Sequence, residues 1–243
     1  MPRDTLTKEQ IVRAAVELLD DEGLEGLNMR ALGERLGSAA TAIYWHVRNK
    51  DDLVILAGDE VWSEVPLPDL DTVDWREAAT RMATSMYAMT ARHPWLVMAF
   101  ASQPVHGPNK ARHDEHTLGV FEKAGLVAAE ADRAAASVFT YVLGHALGLS
   151  VTASVDRRLA RGKKSVRDSL QESLDRAVEV AGQFPRLRER LTLYADEGYA
   201  TAPLHSFEFG LEAMLNGFEE HLRARRGTPR DSAGAEILNG IHR

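Results

Sequence analysis

The run Ala40-Thr41-Ala42-Ile43-Tyr44-Trp45-His46 brings together residue types suited to the edge of a nucleic-acid duplex. Ala40, Thr41 and Ala42 keep side-chain bulk low, so a backbone can come close, and their methyl groups match the thymine methyl of the major groove. Tyr44 and His46 can donate to phosphate oxygens. Lys50 opens the next predicted helix, where its charge and the free backbone N–H groups would clamp one phosphate. Arg30, in the first turn of an earlier helix, can reach a guanine edge or a phosphate. As an isolated pair, Tyr44 and Trp45 read more readily as core aromatics, and the charges as a solvated face. A glycine turn, a short helix and a flanking basic residue at one spacing are what point to DNA.

The elements that must position these residues are all helical. Ile11, Ala14, Ala15, Leu18 and Leu19 form one stripe of an amphipathic helix. Thr7 with Gln10 reads as its capping box, and Gly23 as its stop. Asn28 is expected to cap a second helix ending at Gly37. A third runs from Ala39 to His46, and Asn49 caps a fourth. Two short helices across a tight glycine turn are the helix-turn-helix layout, in which the second enters the major groove. Ala31, Leu32 and Leu36 are expected to pack inward with Ile43 and Val47. The predicted DNA-facing set is Asn28, Met29, Arg30, Ala40, Thr41, Ala42, Tyr44, Trp45, His46 and Lys50.

Charge agrees with a local interface. The 243-residue chain has a net charge of −7, which argues against a general nucleic-acid coat. Between Asn28 and Lys50 the balance is +3, with acids clustered just upstream at Asp20, Asp21, Glu22 and Glu25. The chain has no cysteine, which excludes disulfides and thiolate metal sites. The polar start MPRDTLTKEQ has no apolar signal region, and a cytoplasmic protein is expected.

The segment from Leu6 to Lys50 resembles the N-terminal domain of TetR-family regulators. The run Tyr44-Trp45-His46-Val47-Arg48-Asn49-Lys50 is especially similar to the tetracycline-repressor branch. The resemblance covers about residues 5–65. It implies that the reader helix contacts bases and that the Tyr and Lys positions hold phosphates. Ala39 stands where the family usually has a capping side chain, so Ser38 is expected to cap instead.

Val65-Pro66-Leu67-Pro68-Asp69 marks a domain boundary. The expected organisation is all-α: a DNA-binding domain over 5–65, a helical ligand-binding and dimerisation domain over 70–224, and a disordered tail over 225–243. Residues 156–164 look like a mobile connection, and 183–202 irregular or weakly helical. Ala134–Val155 carries no charged residue and has the length of a bilayer span. Gly144, His145, Gly148 and several Ser and Thr favour a buried helix of a soluble protein over a membrane anchor.

Phe207–Glu219 is similar to the last helix of the tetracycline-repressor type, and the charge-free helix to its partner. The resemblance implies that the two pair with their copies in a homodimer. The expected interface is Gly144, Leu147, Gly148, Val151, Phe207, Leu211, Met214 and Phe218.

Met82, Met86 and Met89, with Trp95, Phe100, Phe121, Phe139 and Leu143, are candidate pocket residues; plain core packing explains them as well. The resemblance implies a drug–magnesium chelate held by histidines. Pro66 and Ala99 or Phe100 stand at those positions, so a largely apolar effector is expected, with no metal or cofactor. His106, His113 and His116 offer the donors of a metal site or of the centre of a helical hydrolase. No nucleophile–base pairing supports an enzyme, and exposed histidines on a polar helix need no special role. The function expected is a dimeric repressor that binds a palindromic operator on double-stranded DNA and is released by a small molecule; an activator stands as the alternative.

Overall fold

Capping side chains and apolar stripes account for most of the helix boundaries. The computed structural model describes residues 6–161, 164–190 and 202–227. Among them every regular element is helical. Helix α1 (Lys8–Gly26) starts at the predicted capping box, with Thr7 and Gln10 bonded reciprocally at 2.9 and 3.2 Å. Gly23 interrupts it with a non-helical backbone (φ 71°). Helix α2 (Met29–Arg35) is capped by Asn28 and α4 (Lys50–Val61) by Asn49. A 3-10 turn, Trp62–Glu64, leads to α5 (Trp75–Arg92), α6 (Trp95–Ser102), α7 (Pro108–Ala124) and α8 (Ala129–Arg161). Helices α9 (Lys164–Gly182) and α10 (Ala202–Gly227) complete the described chain.

Four expectations are corrected. The reader helix α3 is only Ala40–Ile43; beyond it His46 N–H reaches the Ile43 carbonyl and the chain tightens into turns. Ala39 occupies its N-cap without a side-chain bond, and Ser38 does not cap it. No break occurs at Asp156. Helix α8 continues to Arg161 because the stretch after Gly148 contains neither glycine nor proline before that point. The last helix extends through Arg225 and Arg226 to Gly227, past the predicted start of the tail. Residues 162–163, 191–201 and 228–243 lie outside the described residues, and with them parts of the predicted connection, irregular segment and tail. Residues 185–190 are helical.

The charge-free helix is two-faced. Ala134, Val138, Val142, Ala146 and Ser150, four residues apart, form its buried stripe. It packs against α5, α6, α7 and α10. On the other side Gly144, Leu147, Gly148 and Val151 are exposed. By length and composition this helix could cross a membrane, but its buried stripe belongs to the chain's own core.

Helix α10 docks on α8 through aromatic stacking. Phe207 lies 4.4 Å from Tyr87, nearly parallel, and 5.6 Å from Tyr141. The Tyr141 hydroxyl donates to the Phe207 carbonyl at 2.8 Å. A Cβ on Gly210 would lie 2.2 Å from that hydroxyl, so only glycine allows the helices this approach. Phe207 and Leu211, expected at the dimer face, therefore point into this chain's own interior; Phe209, 77% exposed, faces outward instead.

Phe207→Ala should lower the unfolding free energy by about 3–5 kcal/mol, the usual cost of emptying a fully buried aromatic site. Urea denaturation followed by circular dichroism measures this, and a loss below about 1 kcal/mol would show that α10 docks without it.

Candidate nucleic-acid interface and interior cavity

The turn between α2 and α3 is set by glycines. Ser38 N–H donates to the Gly33 carbonyl at 2.9 Å, and a Cβ on Gly33 would sit 2.8 Å from the Ser38 carbonyl oxygen. Gly37 takes a left-handed backbone (φ 59°), which reverses the chain. Leu32, Ile43 and Val47 are buried beneath, which leaves Thr41, Tyr44 and Trp45 on the surface. Trp45 is 89% exposed, so it is not the core aromatic of the alternative reading. Ala40, Ala42 and His46 are half-buried beside them.

The predicted contacts at the rim have other partners. The Asn28 side chain is used at both ends, accepting from Ala31 N–H and donating to the Gly26 carbonyl. Met29 packs partly into the core. Arg30 pairs with Glu34 at 2.9 Å, Arg35 with Asp21, and Lys50 donates to the Leu24 carbonyl at 2.6 Å. Among the described residues the Arg48 side chain has no such partner, although the predicted contact set omits it. Its position between the buried Val47 and the helix-capping Asn49 is the signal that places it at the surface.

A charged clamp joins this unit to the rest. His93, at the end of α5, is bonded on one side to Asp20 of α1 (Nδ1–Oδ1 2.8 Å) and on the other to Glu64 (Nε2–Oε1 2.9 Å). Trp95 Nε1 donates to the same Asp20 oxygen at 2.8 Å, and Arg92 holds Glu64. Burial disfavours charge on His93, but the two carboxylates outweigh it and raise its pKa above 6.5. Burial likewise opposes charge on Glu64, while Arg92 and His93 bring its pKa below 4.5.

Behind the clamp, a cavity of about 250 Å³ lies between α5, α7 and α8. Met82, Met86, Phe121 and Phe139 line it, as the sequence suggested. Met89, Trp95, Phe100 and Leu143 do not. Met89 and Trp95 are buried elsewhere, Trp95 at the clamp. Phe100 packs edge-on against Trp62 and Phe139, behind the lining.

Helix α7 supplies the polar wall: Lys110, His113, Asp114 and Thr117. His113 corrects the view of exposed histidines on a polar helix. It is buried, with its ring 4.5 Å from that of Trp62. The missed signal is its position seven and eight residues before the buried Val120 and Phe121, on the same stripe. The other two histidines diverge, His106 bonding the Pro104 carbonyl and His116 the Pro68 carbonyl.

The cavity wall is tied to the DNA unit through α4. Asp59 on α4 is buried and sits at the N-terminus of α7, where it accepts from the backbone N–H of Lys110 (2.9 Å) and Asn109 (3.3 Å). A Cβ on Gly107 would lie 2.2 Å from the Asp59 carboxyl carbon, so glycine is what admits the carboxylate. Three residues on, the Trp62 ring meets that of His113 at a tilt of 52° and lies under the Lys110 ammonium.

The clamp should show a signed pH dependence. A raised histidine pKa stabilises the fold fully below about 6.5 and loses that contribution as pH rises through the raised value. A lowered Glu64 pKa contributes above about 4.5 and is lost as pH falls through the lowered value. The melting-temperature gap between wild type and His93→Gln should therefore be widest between these two values and narrow on the alkaline side. A gap that stays constant from pH 6 to 9 would show that charge on His93 does not hold the clamp.

Comparison with known proteins agrees with this geometry. Residues 11–57 match the family described as bacterial regulatory proteins, tetR family, and residues 67–222 the tetracyclin repressor-like C-terminal domain. An HTH-type transcriptional regulator from Saccharopolyspora erythraea is 37% identical over 185 residues, 74% of this chain and 75% of that one. The HTH-type transcriptional repressor DrrR1 of Streptomyces coeruleorubidus is 32% identical over 228 residues, 93% of this chain and 82% of that one. Among solved structures, apo ActR from Streptomyces coelicolor superposes with a TM-score of 0.71 at 26% identity, covering 92% of this chain and 99% of its own. ActR has also been solved in complex with actinorhodin; that structure has a TM-score of 0.69 at 27% identity and covers 89% of this chain and 96% of its own. The chain is a DNA-binding transcriptional regulator and belongs to the TetR family.

Proposed function

We propose that this protein is a homodimeric repressor that binds a palindromic operator in the cytoplasm and leaves it when a small molecule occupies the cavity between α5, α7 and α8. The observation that carries the reading is the direct connection of that cavity to α4. Asp59 and Trp62 tie the α7 wall to the last helix of the DNA unit. A ligand that moves α7 therefore moves the reader. The repressor DrrR1 and the ligand-bound ActR support both halves of this reading. Residues 5–65 act as the DNA-binding domain and 70–224 as the effector and dimerisation domain. The relatives are named as regulators, and we propose binding without turnover.

Thr41, Tyr44 and Trp45 face the bases and their border, with Ala40, Ala42 and His46 beside them and Arg48 as a phosphate contact. Two readers related by a two-fold axis would match half-sites about one helical turn apart. The dimer face is the outer side of α8 and α10. Gly144, Gly148 and Gly217 have open space where a Cβ would stand, and Leu147, Val151 and Phe209 are exposed near them in sequence. Covering such apolar surface favours self-association over exposure to water. Met214 and Phe218 are half-buried, and Phe218 also packs edge-on against Phe121.

Selection of the purified protein against random duplex DNA should enrich an inverted repeat. Compounds that bind the protein should then release it from that repeat, because linkage makes the antagonism reciprocal. A compound that fills the cavity and leaves DNA affinity unchanged overturns the release mechanism. Gly148→Trp should halve the sedimenting mass at micromolar concentration; an unchanged dimer would place the interface elsewhere.

A further inference from the structure

The wall between the cavity and α4 contains a concentration of unmatched polarity. Among the described residues, Trp62 Nε1 and both ring nitrogens of His113 are buried without a hydrogen-bond partner, and the two rings are 4.5 Å apart. The nearest carboxylate oxygen, on Asp114, is 3.7 Å from His113 Nδ1, beyond hydrogen-bond reach. Each such orphan leaves the desolvation of a polar group uncompensated. An apolar ring at position 113 would avoid that cost, so packing alone does not explain a histidine.

We propose that His113 is the polar anchor of the effector cavity, and that the effector is a neutral hydroxylated aromatic compound of about two fused rings. The proposal rests on the reading of this cavity as the effector site. An imidazole carrying one ring proton offers one donor and one acceptor. A hydroxyl group, which both donates and accepts, complements that set. Apart from Lys110, Asp114, Thr117 and Asp132, the rest of the lining is Met82, Met86, Phe121 and Phe139 with aliphatic residues, which suits an aromatic body. An anionic ligand is disfavoured, because the Lys110 ammonium is already paired with Asp114. A cavity of about 250 Å³ has room for two fused rings. Both His113 nitrogens are buried, so bonding the hydroxyl requires the imidazole to turn within its tilted contact with Trp62. That shift, next to the end of α4, gives the ligand a direct effect on the DNA unit.

The test compares 1-naphthol with 1-methylnaphthalene, which has a similar shape but no hydroxyl, by calorimetric titration of the full-length protein. Wild type should bind 1-naphthol at least tenfold more tightly than 1-methylnaphthalene. His113→Phe keeps a ring against Trp62 and should lose that preference while binding 1-methylnaphthalene as before. His113→Gln, which retains a donor and an acceptor, should keep part of it, and guards against a folding defect in the phenylalanine variant. Equal affinity of wild type for the two compounds, or an undiminished preference in His113→Phe, overturns the anchor and leaves the cavity reading standing. If wild type binds neither compound, both fall.

Discussion

The carboxylate of Asp59 at the N-terminus of α7 is the contact on which the rest of the architecture depends. It belongs to α4, and so to the unit that carries the reader, yet it satisfies free backbone donors of the helix that walls the cavity. A buried carboxylate is tolerable only with such partners. The arrangement therefore fixes the register of α4 against α7 far more narrowly than apolar packing would. Gly107 is part of the same constraint, since any side chain there would occupy the position of the carboxylate.

Two other links act in parallel with it. The Asp20–His93–Glu64 clamp joins α1 to α5 by charge, and the tilted Trp62–His113 pair joins the turn after α4 to α7 by aromatic contact. The buried apolar cluster is continuous across both units, from Ile11 to Leu222. In the release mechanism proposed above, a displacement at the cavity would meet a close-packed path to the reader. The charges at the reader are also largely committed before DNA arrives. Arg30, Arg35 and Lys50 have partners within the chain, so they hold the helix-turn-helix in shape, while the Arg48 side chain has none among the described residues.

Helix α8 serves two surfaces at once. Its inner stripe closes the cavity and the core, while its outer stripe is small and apolar with no cover from its own chain. That division explains a 22-residue run without charge in a chain that is otherwise rich in it: neither face is destined for water in the assembly we propose.

The sequence by itself determined the helical class, the helix-turn-helix and the caps of α1, α2 and α4, because these follow from local rules. Thr7, Asn28 and Asn49 bond backbone within three residues, and apolar stripes are read one turn at a time. It also placed Met82, Met86, Phe121 and Phe139 together. Tertiary structure alone decided which side of each stripe meets which neighbour. It turned Phe207 and Leu211 inward onto Tyr87 and Tyr141, moved Trp95 to the clamp, and buried His113 against a tryptophan 51 positions away. It also set Asp59 on a helix end 50 residues further along. Periodicity reports that a residue lies on an apolar face. The partner across that face depends on how distant helices cross, and no local spacing encodes it.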